Sequence, residues 1–489
     1  MQDWLSQRSH TTPNKKGVVD VASTTSYTFA ELDTLVKQRS HALHAHGARH
    51  GSTVAVVTQT HFEAVLAMYA AVRIGCRVAV IDPDAPPATV SARLSAIEID
   101  IVLCEQNTKV VINQALDHTE EQAIPSLVPL TEITDSGVTS NPPADPLPDE
   151  AVQFLLFTSG TTGNPKPVPL SGQQIETAAL GSACRIGLDP SDRWMSVLSM
   201  HHMGGITPLL RFPIYGMTVI LTESFDAELT PRVVDQYDVT AISLVPTMLK
   251  RILHTTESFG SSLRCVLLGG APASIALLKR CQHSDLPVYP TYGMTETASQ
   301  IATATPDVAF EDPETVGQPL VIHNLTIVGK DGNRCPHGDV GEIVVSGQAV
   351  IDEYYNVETG RWGEYGFHTG DIGRLEEDGR LVVVGRKEDR ILTGGETVSA
   401  EEVSNTLELS DQVTQAAVVG VGDQTWGERI CAVVVPPTEM NPSSCELMEF
   451  VENHLSGYKV PKEIKIQSSL PRTDSGTVDR EALKKLFSS

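Results

Sequence analysis

This chain has no apolar run approaching the roughly 20 residues that cross a bilayer as a helix, so no membrane-spanning helix is expected. It also has no Cys-x-x-Cys pair, because its eight cysteines, at positions 76, 104, 184, 265, 281, 335, 431 and 445, lie far apart. That spacing argues against a zinc ribbon or a redox dithiol, and a thiol such as Cys265, ahead of Val266-Leu-Leu268, reads as a small buried hydrophobe. Basic residues are scarce too, 36 against 61 acidic ones, for a net charge of −25. A field of that sign repels nucleic acid and anionic membranes, so neither is an expected partner. The opening Met1-Gln-Asp-Trp-Leu5 has no basic stretch leading into an apolar one. No secretory leader is expected, and the cytoplasm is the expected compartment. Two explanations of the acidity stay open: solubility, and adaptation to a high-salt cytoplasm. The even scatter of carboxylates favours the second. Self-repulsion that salt screens should then make the melting temperature climb from dilute buffer to molar KCl. A flat curve would exclude adaptation.

What is present is alternating strand and helix text. At 489 residues the chain is too long for one core, and about three domain-sized units are expected. Thr28-Phe-Ala-Glu31 followed by Leu32, Leu35, Val36 and Leu43 reads as a capping box opening a helix. Thr53–Thr58 reads as a strand, His61–Ile74 as a helix and Arg77–Ile81 as a strand, which argues for a mainly parallel sheet. Further strands read at Thr218–Leu221, Ala241–Leu244 and Cys265–Leu268. From Ile322 to Val384, β-branched runs separated by glycine turns predict antiparallel strands. The fold class expected is α/β. A large N-terminal domain, residues 1–387, holds two mixed or parallel α/β subdomains with a seam at the proline-rich stretch 134–150. It also holds a small distorted β-barrel at about 318–387. A small mobile α+β domain, residues 388–489, follows.

Chemistry concentrates in a few segments. Thr158-Ser159-Gly160-Thr161-Thr162-Gly163-Asn-Pro-Lys166 follows the apolar run Val152–Phe157. Its glycines let backbone N–H groups approach a polyanion, its hydroxyls add donors, and Lys166 adds positive charge. The competing reading is a polar surface loop. Downstream stand Leu267-Leu-Gly-Gly270-Ala271-Pro272, Thr291-Tyr292-Gly293-Met294-Thr295-Glu296, Phe367-His-Thr-Gly-Asp371 with Gly385-Arg386, and Ile391-Leu-Thr-Gly394-Gly395. Together these resemble the adenylate-forming superfamily of acyl-CoA synthetases, peptide-synthetase adenylation domains and luciferases, over nearly the whole chain. Individually, Glu296 reads equally as an early-turn helix carboxylate and Asp371 as a turn residue.

The resemblance implies an ATP-dependent ligase of two steps. A substrate carboxylate attacks the α-phosphorus of ATP, giving an acyl-adenylate and diphosphate; the thiol of CoA then attacks the acyl carbon and AMP leaves. It implies that Thr158 to Lys166 cradle the phosphates and that Tyr292 lies against adenine. Gly270 and Ala271 form the shelf opposite, with Gly293 and Met294 beside the nucleotide. Thr295 and Lys166 meet phosphate, Glu296 helps hold Mg²⁺, and Asp371 and Arg386 contact the nucleotide. Glu388 falls at the hinge of the mobile domain, and Gly394 and Gly395 at the thiol tunnel. Homodimers are common among such ligases, and the sequence leaves that state open.

One departure stands out. Members carry a Ser-Gly-Lys segment near the end whose lysine bridges carboxylate and α-phosphate, whereas here Ser475-Gly476 is followed by Thr477. A hydroxyl supplies no positive charge; Lys484 or Lys485 is a candidate replacement, and a degenerate member with weak activity is one alternative reading. Pro167 in place of a glycine is a second departure. On the acid side, Ser199-Met-His-His202-Met-Gly204-Gly205, Arg211-Phe-Pro-Ile-Tyr-Gly-Met and Ser299-Gln300 look most like the o-succinylbenzoate–CoA ligases of menaquinone synthesis. That substrate is an aromatic keto-diacid whose second carboxylate needs donors, with His202, Gly204, Arg211, Ser299 and Gln300 as candidates. For Arg211 a surface salt bridge is the competing reading. Another aryl or short-chain carboxylate is the alternative substrate class.

Overall fold

The computed structural model describes residues 3–487 apart from 117–124, 135–144, 159–164, 257–258, 388–389, 394–395, 424, 438–439 and 474–477. The helix Phe29–Ala45 starts where the capping box predicts it. Thr28 Oγ1 accepts from the Glu31 N–H at 3.3 Å, and Glu31 Oε2 accepts from the Thr28 N–H at 2.7 Å. His61 caps the next helix, Phe62–Ile74, whose residues are buried except for Glu63. It is apolar all round because it lies between layers of the protein.

Strand order in the first sheet is Ser126–Pro129, Ile101–Cys104, Thr53–Val57, Arg77–Ile81, Val152–Thr158, Lys166–Ser171, parallel up to the last antiparallel pair. Successive side chains point to opposite faces of a strand. Val54, Val56, Val78, Val80, Phe154 and Leu156 therefore join one core, while Ala55, Val57, Ala79, Ile81, Leu155 and Phe157 join another. Burial on both faces explains why these strands read as unbroken apolar runs rather than as alternation. The strands that flank the 134–150 stretch, Ser126–Pro129 and Val152–Thr158, both belong to this sheet, the second paired to Arg77–Ile81.

An eight-stranded sheet has its parallel centre in Val288–Met294, Cys265–Leu268, Ala241–Leu244, Arg193–Ser196, Thr218–Leu221 and Lys16–Asp20. Antiparallel edges are added by Ser299–Thr303 and Thr25–Thr28. Its Val219, Leu221, Ala241, Cys265 and Leu267 face the core that also takes Val54, Val78 and Phe154 from the first sheet. Leu325, Ile327, Ile343, Val345 and Phe367 reach that core from a third sheet, an antiparallel half-barrel built of His323–Val328, Gly341–Gly347, Trp362–Gly363, Gly366–Leu375 and Leu381–Arg386. Each such side chain buried contributes about 1.5–3 kcal/mol relative to exposure. Three sheets thus share one core, and the candidate site lies where they meet.

The last sheet contains Arg390–Thr393, Glu396–Ser399, Gln415–Asp423, Gly427–Val435 and Glu463–Ile466. The helices Ala400–Leu407 and Ser444–Glu452 pack on one of its faces through Val403, Leu407, Leu447 and Val451. Arg480–Leu486 packs on the other through Leu483. Contacts that tie this unit to the rest include Lys250 Nζ paired with Glu408 Oε2 at 2.8 Å and Ser399 Oγ donating to the Val384 carbonyl at 3.2 Å. Lys484 faces outward and pairs with Glu481 at 3.5 Å. Among the described residues no helix is long and apolar enough to cross a membrane. All eight cysteines are free, and burial pushes the Cys265 thiol up to about 12.

Candidate active site

The first side of the site is a hairpin mouth. Thr158 and Lys166 are register partners where Val152–Thr158 and Lys166–Ser171 separate. Ser159, Gly160, Thr161, Thr162 and Gly163, which carry the phosphate-loop expectation, lie outside the described residues. The Lys166 ammonium sits 5.6 Å from the centroid of the Tyr354 ring, within cation–π range.

The second side is a strained turn between Val288–Met294 and Ser299–Thr303. Thr295–Thr297 form a single 3₁₀ turn, and Ala298 and Ser299 follow with positive φ of 52° and 133°. Such backbone persists only where the surroundings hold it, and it clusters at working sites. Gly293 is obligatory, since a Cβ there would lie 1.9 Å from the Ser299 carbonyl oxygen. Glu296 is buried, and its Oε1 accepts the Tyr354 hydroxyl at 2.6 Å. Gly270 leaves the strand Cys265–Leu268 at φ +78°, turning its own and Ala271's backbone out to the exposed edge.

Asp371 closes the third side. It is 6% exposed, on the strand Gly366–Leu375, and its Oδ2 accepts the Tyr292 hydroxyl at 2.7 Å while Oδ1 lies 3.4 Å from Arg386 Nε. Burial raises the Asp371 carboxyl, opposed by the Arg386 charge and the Tyr292 bond. Burial, with the Asp371 charge behind it, raises the Tyr292 hydroxyl well above its ordinary value. Tyr292 therefore stays a donor and joins the eight-stranded sheet to the half-barrel.

The acid side is built on the helix Met203–Tyr215. His202 is its N-cap residue but makes no capping bond with its ring, and burial lowers its imidazole below the usual range. The ring therefore favours its neutral form. His201 beside it is fixed. Its Nε2 donates to the Thr58 carbonyl at 2.8 Å, which leaves Nδ1 to accept from Ser199 Oγ at 2.5 Å. Burial holds that ring neutral, down to about 4. Gly204 and Gly205 occupy the first helical turn, where a Cβ at 205 would lie 2.1 Å from the Ser199 carbonyl oxygen. The chain's own loop therefore accounts for glycine at 205. Pro213 cannot bond the Leu209 carbonyl four residues back; the buried Tyr69 hydroxyl donates to it instead, at 2.7 Å.

Arg211 projects from this helix into the interior. The surface salt-bridge reading is overturned: the side chain is 3% exposed and pairs with no carboxylate among the described residues. Nη1 donates to Ser182 Oγ at 3.0 Å and Gln300 Oε1 at 3.3 Å, and Nη2 has no partner. Gln300 is oriented in turn, with Nε2 donating to Thr303 Oγ1 at 2.8 Å. His323 Nε2 donates to the Gln300 carbonyl at 3.1 Å. Ser299 opens this strand, half-buried, beside the Glu296 turn. A buried guanidinium without an acid is costly, and it marks a place for an anion.

The AMP-binding enzyme family profile matches residues 5–355, and the AMP-binding enzyme C-terminal domain profile matches residues 402–477. The chain belongs to the AMP-binding enzyme family. Within this family it is 34% identical over 488 residues to the 2-succinylbenzoate–CoA ligase of Bacillus licheniformis, covering 98% of this chain and 99% of that protein. Its structure is similar to the o-succinylbenzoate CoA synthetase of Bacillus subtilis in complex with the acyl-adenylate intermediate OSB-AMP. There the TM-score is 0.92 and the identity 31%, with 99% and 98% of the two chains covered. The same Bacillus subtilis enzyme in complex with ATP and a magnesium ion gives a TM-score of 0.90, with 99% of each chain covered.

The structure links Glu296 to Lys166 through Tyr354, and Tyr292 to Arg386 through Asp371, with Thr158 the register partner of Lys166; Gly293, Met294 and Thr295 adjoin Tyr292 and Glu296 in the chain, and Gly270 and Ala271 follow the neighbouring strand Cys265–Leu268. Glu388, Gly394, Gly395 and Thr477 lie outside the described residues. Sequence reasoning passed over Ser182, His201 and Tyr354. For Tyr354 a signal existed, since Tyr354-Tyr355 is a paired aromatic in a chain with only 5% aromatic residues.

Proposed function

We propose that this AMP-forming acid–CoA ligase joins 2-succinylbenzoate to CoA: 2-succinylbenzoate, ATP and CoA give 2-succinylbenzoyl-CoA, AMP and diphosphate. Full-length likeness to the Bacillus ligases supports the reaction. The observation that carries the choice of acid is Arg211, a buried guanidinium whose Nη2 has no partner beside Gln300. One substrate carboxylate would be activated, and the other would be read through the Arg211–Gln300 pair. Cytoplasmic biosynthesis of menaquinone is the setting that this substrate fits.

The nucleotide would lie with its ribose on Asp371, whose carboxylate oxygens only accept hydrogen bonds, and its base between Tyr292 and the Gly270–Ala271 shelf. Thr295 and Lys166 would meet the phosphates. Magnesium fits the donor set at Glu296. No group of three or more His, Cys, Asp or Glu side chains able to hold a metal exists among the described residues. A single buried carboxylate suits Mg²⁺, which is usually held by one or two carboxylates plus substrate phosphates. When bound it offsets the charge that develops on phosphate during displacement. The protein's share is to hold acid oxygen and α-phosphorus in line, with the reacting atoms about 3–3.5 Å apart. His202, neutral at the cleft, would line the acyl site without competing for the carboxylate as a cation. In the second step the C-terminal unit would turn about Glu388 and bring Gly394 and Gly395 against the pantetheine arm.

Diphosphate release over a panel of acids, with and without CoA, tests this reading. 2-Succinylbenzoate is expected to drive release, with thioester forming only when CoA is added. Faster turnover of a plain aryl or short-chain monocarboxylate would move the assignment to that class.

A further inference from the structure

We propose that Tyr354 is a positioning residue for adenylate formation, a brace that sets the distance between Glu296 and Lys166; this rests on the reading of Glu296 as the magnesium-side carboxylate. Those two residues belong to different sheets. Glu296 sits in the turn at the end of the eight-stranded sheet, and Lys166 opens the last strand of the six-stranded one. Pairing within either sheet leaves their separation unfixed.

The segment 351–355 supplies the link by four contacts. The Ile351 N–H donates to the Glu296 carbonyl at 2.9 Å, and the Tyr355 N–H to the Pro167 carbonyl at 3.0 Å. Between these backbone clips, the Tyr354 hydroxyl donates to Glu296 Oε1 at 2.6 Å and its ring face lies under the Lys166 ammonium, 5.6 Å from the centroid. The ring itself has little freedom. It is 3% exposed and meets Trp362 and Phe367 edge-on at 5.7 and 6.5 Å. Trp362 is anchored in turn by Nε1 donating to the Ile351 carbonyl at 3.1 Å.

The chemistry follows from the donor. Beside a carboxylate, which only accepts, the phenol gives its hydrogen, and the Tyr354 hydroxyl gives it to Glu296 Oε1 at 2.6 Å. Glu296 is thereby oriented with Oε1 occupied, which leaves Oε2 to face the cation and phosphates. A direct Glu296–Lys166 ion pair would silence both groups; the intervening ring lets the ammonium find stabilisation without consuming the carboxylate.

Tyr354→Phe removes one oxygen and keeps the ring, so packing and the cation–π contact survive. ATP affinity is measured by calorimetry with Mg²⁺ and with EDTA. The wild type is expected to bind ATP more tightly with Mg²⁺, and this advantage should shrink about tenfold in Tyr354→Phe, the scale of a hydrogen bond to a charged group. Adenylate formation should slow by a similar factor, while CoA attack on supplied acyl-adenylate should keep its wild-type rate. In a cycle with Glu296→Gln, the second substitution should add little to the first. Full additivity, or an unchanged Mg²⁺ advantage in Tyr354→Phe, would overturn the proposal. A wild type showing no Mg²⁺ advantage would instead remove the reading of Glu296 on which it rests.

Discussion

Replacing Thr477 by lysine is expected to accelerate acyl-adenylate formation by about two orders of magnitude in single-turnover experiments. A preorganised donor aimed at charge that develops in the transition state is worth about 3 kcal/mol, and each 1.4 kcal/mol is tenfold in rate. Threonine offers one hydroxyl and no charge, so at this position the chain forgoes most of that contribution. The gain should appear in adenylate formation and not in CoA attack, since the missing charge belongs to the carboxylate and α-phosphate. A rate for Thr477→Lys at or below that of the parent would mean that another cation already occupies the place.

Arg211→Leu is expected to raise the KM for 2-succinylbenzoate by 10- to 100-fold, with ATP binding unchanged. A hydrogen bond to a charged group contributes about 1.5–3 kcal/mol, and a site built for a carboxylate loses that amount when its donor goes. The comparison that decides is an analogue lacking the second carboxylate, whose turnover should hardly change. Stability should move the other way. The guanidinium is 3% exposed with no acid partner among the described residues, so removing it relieves a buried charge. Against this stands the loss of its bonds to Ser182 and Gln300, about 1.5–3 kcal/mol each, which the several kcal/mol of relieved desolvation offset. The melting temperature should therefore stay level or rise. Equal loss of activity on both acids, or a sharp drop in melting temperature, would show Arg211 to be a structural residue.

Much of the fold was legible locally. The capping box at Thr28 and Glu31, the apolar runs at Val54 and Val78 and the glycine turns of the half-barrel each depend on residues within a few positions of one another. Gly293 and Asp371 were legible as motif members because their neighbours carry the pattern. Arg211 was not. Its sequence neighbours are equally consistent with an exposed salt bridge, and only the packing of its helix against Ser182 and Gln300, 29 and 89 residues away, buries it.

Sequence by itself determined that this is an α/β protein carrying the AMP-binding motifs, because periodicity, caps and motif chemistry are short-range properties. Tertiary structure decided which charged groups lost water and which were tied together. Tyr354 reaches Glu296 across 58 residues, and Tyr292 reaches Asp371 across 79. Desolvation and long-range hydrogen bonding are set by what the folded chain brings alongside, and no local pattern encodes that.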